Sequence, residues 1–377
     1  MNVSLGETVR LTVRDIAFGG EGVGTVGEFV VFVPFVVIGE EVEAVVTEVK
    51  KRFARAQLHR VLKPAAERVS SVCPYFGQCG GCQYQHLQYA AQLRVKFKQI
   101  ADLFERVGGI TGATIDPVVP CPQPYGYRNR IMVRSQWDKF KQGLNIGYIR
   151  YDNRLVVDVE CCPIAESALN EELRALRAHP PPKGGLKVVL RTPVPGWEVP
   201  KDSFFQNNST LLPELTRIAR ERIAESEVRF LVDVYCGVGF FSLELADLVT
   251  SYRGIELDER AIQAARRNAS NRKRSNGDFL VGTAEELLPA VLEEFNPDET
   301  AVVLDPPRTG CTPLIIELLR ATQVEQILYI SCHPATLARD LNLLSEGGLY
   351  TISRVTPVDM FPQTQHVECI ADVRLRR

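Results

Sequence analysis

The chain has 377 residues, more than one ordinary hydrophobic core accommodates, so two or three domains are expected. Hydrophobic residues make up 45% and charged residues 24%, the balance of a soluble globular protein. No apolar run approaches the roughly 18 residues of a membrane span, and the opening residues Met1 to Glu7 lack a basic segment followed by an apolar one, so a cytoplasmic protein with no membrane partner is expected. A net charge of −2 excludes binding to polyanions through bulk positive charge.

Residues 1–62 read as a small β unit. Val9, Leu11 and Val13 alternate with polar neighbours, glycines crowd residues 19–24, and further short strands are expected at 29–34, 41–49 and 53–61. Short strands with glycine turns suggest a five-stranded barrel. Lys50 to Arg68 holds seven Lys or Arg against one acid, and Arg128 to Arg154 seven against two. Such basic tracts on a near-neutral chain fit a nucleic-acid footprint confined to one face.

Ten cysteines in a reducing compartment point to metal binding or catalysis rather than disulfides. Cys73, Cys79 and Cys82 lie in a loop rich in glycine, with Cys161-Cys162-Pro163 offering a fourth ligand. Zinc and an iron–sulfur cluster are the candidates; the gap of five residues between Cys73 and Cys79 is unusual for zinc. Four thiolates would saturate a cluster, which favours a structural or RNA-contacting role over redox catalysis. Residues 89–107 follow as an amphipathic helix with Leu93, Phe97, Ile100, Leu103 and Phe104 near helical spacing. Residues 118–200 are β-rich, with strands at 131–133, 144–149 and 186–190.

From Ser203 strands and helices alternate. Strands are expected at 229–235, 252–257, 278–281, 301–304 and 326–330, and helices at 240–248 and 259–270. The pattern is that of an α/β unit with a parallel sheet covered on both faces. Asp233 to Gly239 follows the first of these strands, and its glycines let backbone approach a nucleoside. Glu256, at the end of the next strand, is placed to accept ribose hydroxyls. The third glycine of the dinucleotide pattern is missing, which favours S-adenosylmethionine over NAD. Asp305-Pro306-Pro307-Arg308 ends another strand with a stiff loop and few donors. Cys332 lies where an apolar run meets a helix opened by Pro334, near the positive end of a helix dipole that favours thiolate. Glu368 begins a last alternating strand and is a candidate general base.

Together these residues resemble the RNA uracil-5 methyltransferase family. The matching strings begin at Cys73 (Cys-Pro-Tyr-Phe-Gly-Gln-Cys-Gly-Gly-Cys), Phe204 (Phe-Phe-Gln-Asn), Asp233, Asp305 (Asp-Pro-Pro-Arg), Ser331 (Ser-Cys-His-Pro-Ala-Thr-Leu) and His366 (His-Val-Glu). The resemblance covers essentially the whole chain. It implies a TRAM RNA-binding barrel (1–62), a central β-rich iron–sulfur domain (63–200) and a Rossmann-like class I methyltransferase domain (201–377), with helix 89–107 packed on the last. It implies a four-iron four-sulfur cluster on Cys73, Cys79, Cys82 and Cys162, with Cys161 a bystander. It further implies S-adenosylmethionine contacts from Gln206, Tyr235, Glu256 and Asp305, and catalysis by Cys332 and Glu368. The barrel points to ribosomal RNA as the substrate, with transfer RNA the runner-up, acted on by a monomer. Phe240 and Thr283 stand where the family commonly has Asn, and His333 replaces an Asn after the cysteine. The rivals are an inactive RNA-binding protein on the same scaffold and an iron–sulfur redox enzyme.

Overall fold

The computed structural model describes residues 3–152, 154–180 and 184–377. Alternation of apolar and polar residues builds the first unit from β1 (Thr8–Thr12), β2 (Asp15–Ile16), β3 (Glu21–Val26), β4 (Phe29–Pro34), β5 (Glu41–Val49) and β6 (Phe53–Lys63). They form a barrel-like sheet in the order β1-β5-β6-β4-β3-β2. Val9 and Leu11 point inward with Val31, Val33, Val42, Ala44 and Ala54. A side chain at Gly24 would come within 2.4 Å of Leu11 Cδ1 and 2.6 Å of Thr12 O, so β3 crosses β1 only as glycine. The sheet has six strands rather than the expected five, because β2, two residues long, leaves no periodic signal.

Helix α1 (Tyr89–Arg106) and β7 (Thr114–Ile115) come next. The central unit holds β8 (Arg130–Asp138), β9 (Gly143–Ile149), β10 (Val156–Asp158), α2 (Ser167–Ala178) and β11 (Lys187–Arg191). Its sheet is antiparallel in the order β10-β9-β8-β11. Ile131, Val133 and Leu190 turn one face toward Leu169 and Leu173 of α2.

The last unit contains α3 (Leu212–Ala224), β12 (Phe230–Val234), α4 (Phe240–Leu245), β13 (Ser251–Glu256), α5 (Glu259–Asn271), β14 (Gly277–Val281), α6 (Ala284–Glu293), β15 (Thr300–Leu304), α7 (Pro313–Thr322), β16 (Gln326–Ser331), α8 (Pro334–Ser345), β17 (Tyr350–Val358) and β18 (Glu368–Leu375). The order is β14-β13-β12-β15-β16-β18-β17-β7. Strands β14 to β16 run parallel, and β18 lies antiparallel between β16 and β17. β15 and β16 are buried throughout, as strands covered on both faces must be. Leu215, Leu243 and Ile262 of α3–α5 cover one face; Leu288, Ile315 and Leu341 of α6–α8 cover the other.

Ile100 and Phe104 of α1 join this second core and β7 pairs with β17, so the chain visits the large sheet before building the central one. The buried face of α1 differs from the expected one: Phe97 is 38% exposed while Lys96 is fully buried. Among the described residues no helix is long and apolar enough to cross a membrane.

Candidate active site

The chain leaves β12 toward β13 on one side and reaches β15 on the other, which opens a crevice at the strands' carboxyl ends. Asp233 is fully buried there, and its Oδ2 accepts from Ser242 N at 2.8 Å and Ser242 Oγ at 2.5 Å, pinning the start of α4. The turn between them is tight: Tyr235, Gly237 and Gly239 have φ of 67°, 54° and 85°. Glu256 accepts from Gly237 N at 3.1 Å and Asp258 N at 2.9 Å, so backbone donors fix its carboxylate. Gln206, Tyr235, Gly237, Phe240 and Asp305 line the cleft, and Gln206 Nε2 donates to Asp305 Oδ2 at 3.4 Å.

Burial pushes Asp305 up to about 8, and the Asp233 and Glu256 carboxylates add to the shift. Burial likewise moves Asp233 up to about 7. Three carboxyl groups thus crowd a site short of positive charge. Phe240 packs against Trp197, Phe205 and Phe241, and Thr283 caps α6 by accepting from Glu286 N.

The second half of the site lies at the end of β16. Ser331 pairs with Cys369 as the last step of the β16–β18 ladder. Cys332 follows Ser331 and Glu368 precedes Cys369, so the two residues flank the end of the ladder, and the Cys332 thiol feels the charge of the Glu368 carboxyl. Glu368 is 3% exposed. Burial raises its carboxyl well above the usual range, helped by Asp305 and opposed by Arg308. Burial also pushes the Cys332 thiol up to about 12, with Glu368 next in effect and Arg308 acting the other way.

The expectation of a thiolate favoured by the helix terminus is therefore overturned. A helix dipole contributes roughly 0.3–1 kcal/mol, under one pKa unit, and burial outweighs it. Arg308 is the cation that faces both groups. Its Nη2 lies 3.3 Å from His366 Nε2, and Thr336 Oγ1 donates to its carbonyl at 3.2 Å.

The pattern of the tRNA (uracil-5-)-methyltransferase family matches residues 194–376, and that of the TRAM domain residues 3–59. An uncharacterized RNA methyltransferase of Synechocystis is 32% identical over 97% of this chain and 95% of its own length. One of Bacillus cereus is 31% identical over 98% and 96%. The chain belongs to the RNA uracil-5 methyltransferase family. It is an RNA (uracil-5) methyltransferase. Its fold matches that of the Pyrococcus abyssi tRNA (uracil-54, C5)-methyltransferase, solved with S-adenosyl-L-homocysteine, at a TM-score of 0.72 and 24% identity, over 97% of this chain and 99% of that one.

In this methyltransferase the strap between β17 and β18 carries His366 and leads directly into Glu368. Lys96 holds it from α1: Nζ donates to Asp359 Oδ1 at 2.5 Å, Phe361 O at 3.1 Å and His366 O at 2.8 Å. Tyr89 OH donates to the other oxygen of Asp359 at 2.9 Å. Gln83, beside Cys82, adds a second clamp. Its N–H and that of Tyr84 donate to Gln363 O, and its Oε1 accepts from Gln365 N. Periodicity hid these residues; the polar stripe Gln92, Lys96, Gln99 on the buried side of α1 was the available signal.

Lys96→Met is expected to lower stability by about 3–5 kcal/mol, because it strands the buried Asp359 charge. Changing Asp359 to Leu as well should recover much of the loss. Denaturant titration of both variants checks this.

Cys73, Cys79, Cys82, Cys161 and Cys162 line one cavity of about 180 Å³. Burial and mutual repulsion push Cys79 up to about 11 and Cys82 up to about 12, and both feel Cys162 first among the other thiols. Asn170 of α2 fixes Cys162 by accepting from its N–H at 2.8 Å and donating to its carbonyl at 3.1 Å. Cys161 is exposed. Among the described residues no three His, Cys, Asp or Glu are gathered tightly enough to hold a metal ion. The thiols instead stand around the cavity.

Proposed function

We propose that this enzyme methylates C5 of a uridine in ribosomal RNA through a covalent adduct between Cys332 and uracil C6. The observation that supports this is that Cys332 and the buried Glu368 carboxyl flank the end of the β16–β18 ladder, and that both feel the charges of Asp305 and Arg308. Uracil C5 is a weak nucleophile. Addition of Cys332 sulfur to C6 moves electron density to C5 and O4, giving an enolate. Arg308 is placed to favour the thiolate that begins this step. S-adenosylmethionine, when bound, supplies an electrophilic methyl group to that carbon, and its positive sulfonium suits the carboxylate-rich cleft of Asp233, Glu256 and Asp305. Gln206, Tyr235, Glu256 and Asp305 would hold it. Glu368 then takes the C5 proton, the C5–C6 double bond re-forms, and Cys332 leaves with its electron pair.

The RNA side of the reading rests on the TRAM barrel and on a groove of about 940 Å³. The groove runs between the barrel and the cysteine loop to the strap at Gln365, with Phe35, Arg55, Arg150 and Tyr151 along it. Stacking rings and cations suit an unpaired strand. Transfer RNA is the second reading, favoured by the likeness in fold to the Pyrococcus enzyme along the whole chain. Mapping 5-methyluridine in ribosomal and transfer RNA of cells with and without this protein separates the two. Loss at a ribosomal uridine is the expected result, loss in transfer RNA alone moves the substrate, and no loss in either defeats the proposal.

A four-iron four-sulfur cluster on Cys73, Cys79, Cys82 and Cys162 completes the reading. Saturated by four thiolates, it would brace the loop that carries Gln83 rather than carry electrons. Protein purified without oxygen is expected to contain about four irons per chain, to lose them in Cys162→Ala and to keep them in Cys161→Ala. Equal retention in both variants would refute the ligand assignment.

A further inference from the structure

The basic tract of the central domain is only partly used by the site above. Its strands place it on one face. Ile131, Val133 and Leu190 turn to α2, so their neighbours Arg130, Met132, Arg134, Val189 and Arg191 turn the other way. The β8–β11 register sets Arg130 opposite Arg191, Met132 opposite Val189, and Arg134 opposite Lys187. Two rungs of like charge thus lie about 13 Å apart on adjacent strands.

Like charges directly opposite destabilise a sheet. The barrel shows the ordinary solution, where Arg60 lies opposite Glu43 and binds it. Here nothing comparable exists. Among the described residues no carboxylate pairs with Arg130, Arg134, Lys187 or Arg191; Asp158, on β10 of the same sheet, is engaged with Lys141 and Arg177. Asp202, the acid that both inner arginines feel, is exposed and pairs with Arg260 at 3.8 Å.

The inner rung is the more telling. Arg130 Nε and Arg191 Nε and Nη1 are buried without a hydrogen-bond partner. Burial and the facing Arg130 pull Arg191 down to about 10. Its remaining bond, from Nη2 to Ser203 O at 2.7 Å, ties the rung to the segment that runs into Gln206, and Asn129 Nδ2 donates to Gln206 O at 3.0 Å. Unsatisfied guanidinium groups at the lip of the cofactor cleft call for an anion.

We propose that the two rungs bind phosphodiester groups of the RNA strand, the inner one beside the target nucleotide and the outer one further along the backbone. The proposal rests on the RNA reading above. Contacts of this kind fix the position of the strand and carry no sequence information.

The test uses the full-length protein and polyuridylate RNA, with binding followed by fluorescence anisotropy over a range of salt. Arg130→Gln with Arg191→Gln, and separately Arg134→Gln with Lys187→Gln, should each weaken binding at least about tenfold. Each should also reduce the slope of log K against log salt by about 1.4, two phosphate contacts on a single strand. Affinity for S-adenosylhomocysteine should stay unchanged, and melting temperature should hold or rise as the repulsion is removed. Arg130→Lys with Arg191→Lys should restore most of the slope.

Unaltered affinity and slope in both double variants, with the wild type binding, would overturn the proposal. So would a loss confined to S-adenosylhomocysteine, which would assign the rung to the cofactor's carboxylate. Displacement of the RNA by inorganic phosphate at equal phosphate concentration would also overturn it. A wild type that binds no RNA defeats the functional reading and this proposal with it.

Discussion

Cys332→Ala is expected to abolish methylation and to form no covalent complex with RNA carrying 5-fluorouridine. Removing the nucleophile from an enzyme that works through a covalent intermediate reduces turnover on the order of 10⁶-fold, which places the variant below detection. The fold should survive, because the residue packs at the edge of the core and leaves its helix cap, His333 accepting from Thr336 N, in place. Residual methylation at even one part in a hundred would exclude Cys332 as the attacking atom. The wild type offers a complementary measurement. With the thiol pushed up to about 12, thiolate is scarce at neutral pH. Alkylation of Cys332 by iodoacetamide, read by peptide mass, should then rise roughly tenfold per pH unit without a plateau near neutrality. A plateau there would mean that Arg308 outweighs burial. Bound RNA should change this profile, because a base in the pocket alters both the desolvation and the charge around the sulfur.

Much of the fold could be read from the chain, and the failures have definite causes. The strands at 29–34 and 41–49 match because alternation with a buried face leaves a strong period-two signal. The parallel strands of the large sheet were legible as continuous apolar runs between helices. The buried side of α1 was misjudged because periodicity ranks side chains by polarity, and Lys96 is neutralised by Asp359, 263 residues away. No local pattern reports such a partner. That Cys332 and Glu368 flank one end of the β16–β18 ladder is invisible in one sequence, since the two strands are separated by the strap. The thiol's shift was misjudged in sign because the helix terminus is written in the sequence and the depth of burial is not. The two cationic rungs were seen as a charge tract, but their opposition across β8 and β11 exists only once the strands pair.

Glu368→Gln is expected to stop the reaction one step later than Cys332→Ala. The amide keeps the shape of the pocket and cannot take the C5 proton, so turnover should fall about 10²- to 10⁴-fold. The methylated adduct should accumulate as a protein–RNA band stable to denaturing gels. Normal turnover would put the base elsewhere, and a slow variant without the band would place Glu368 before methyl transfer.

The same substitution has a second consequence that needs no substrate. Burial and Asp305 raise the Glu368 carboxyl, and Arg308 only partly opposes them. A carboxyl whose folded pKa lies above its unfolded value binds its proton more tightly in the folded state. Its stabilising contribution is complete below the unfolded value, about 4.3, and is lost as pH rises through the folded one. Glutamine does not titrate. Wild type and variant should therefore differ little in melting temperature near pH 5 relative to pH 8, where the variant should melt higher. Asp305 repels Glu368, so the substitution also eases the ionisation of Asp305 and moves the difference in the same direction. A difference that stays constant with pH would mean that Glu368 is already ionised in the fold. The residue would then be a ready base for the C5 proton, and the repulsion it exerts on Cys332 would have to be relieved by Arg308 before the sulfur could attack.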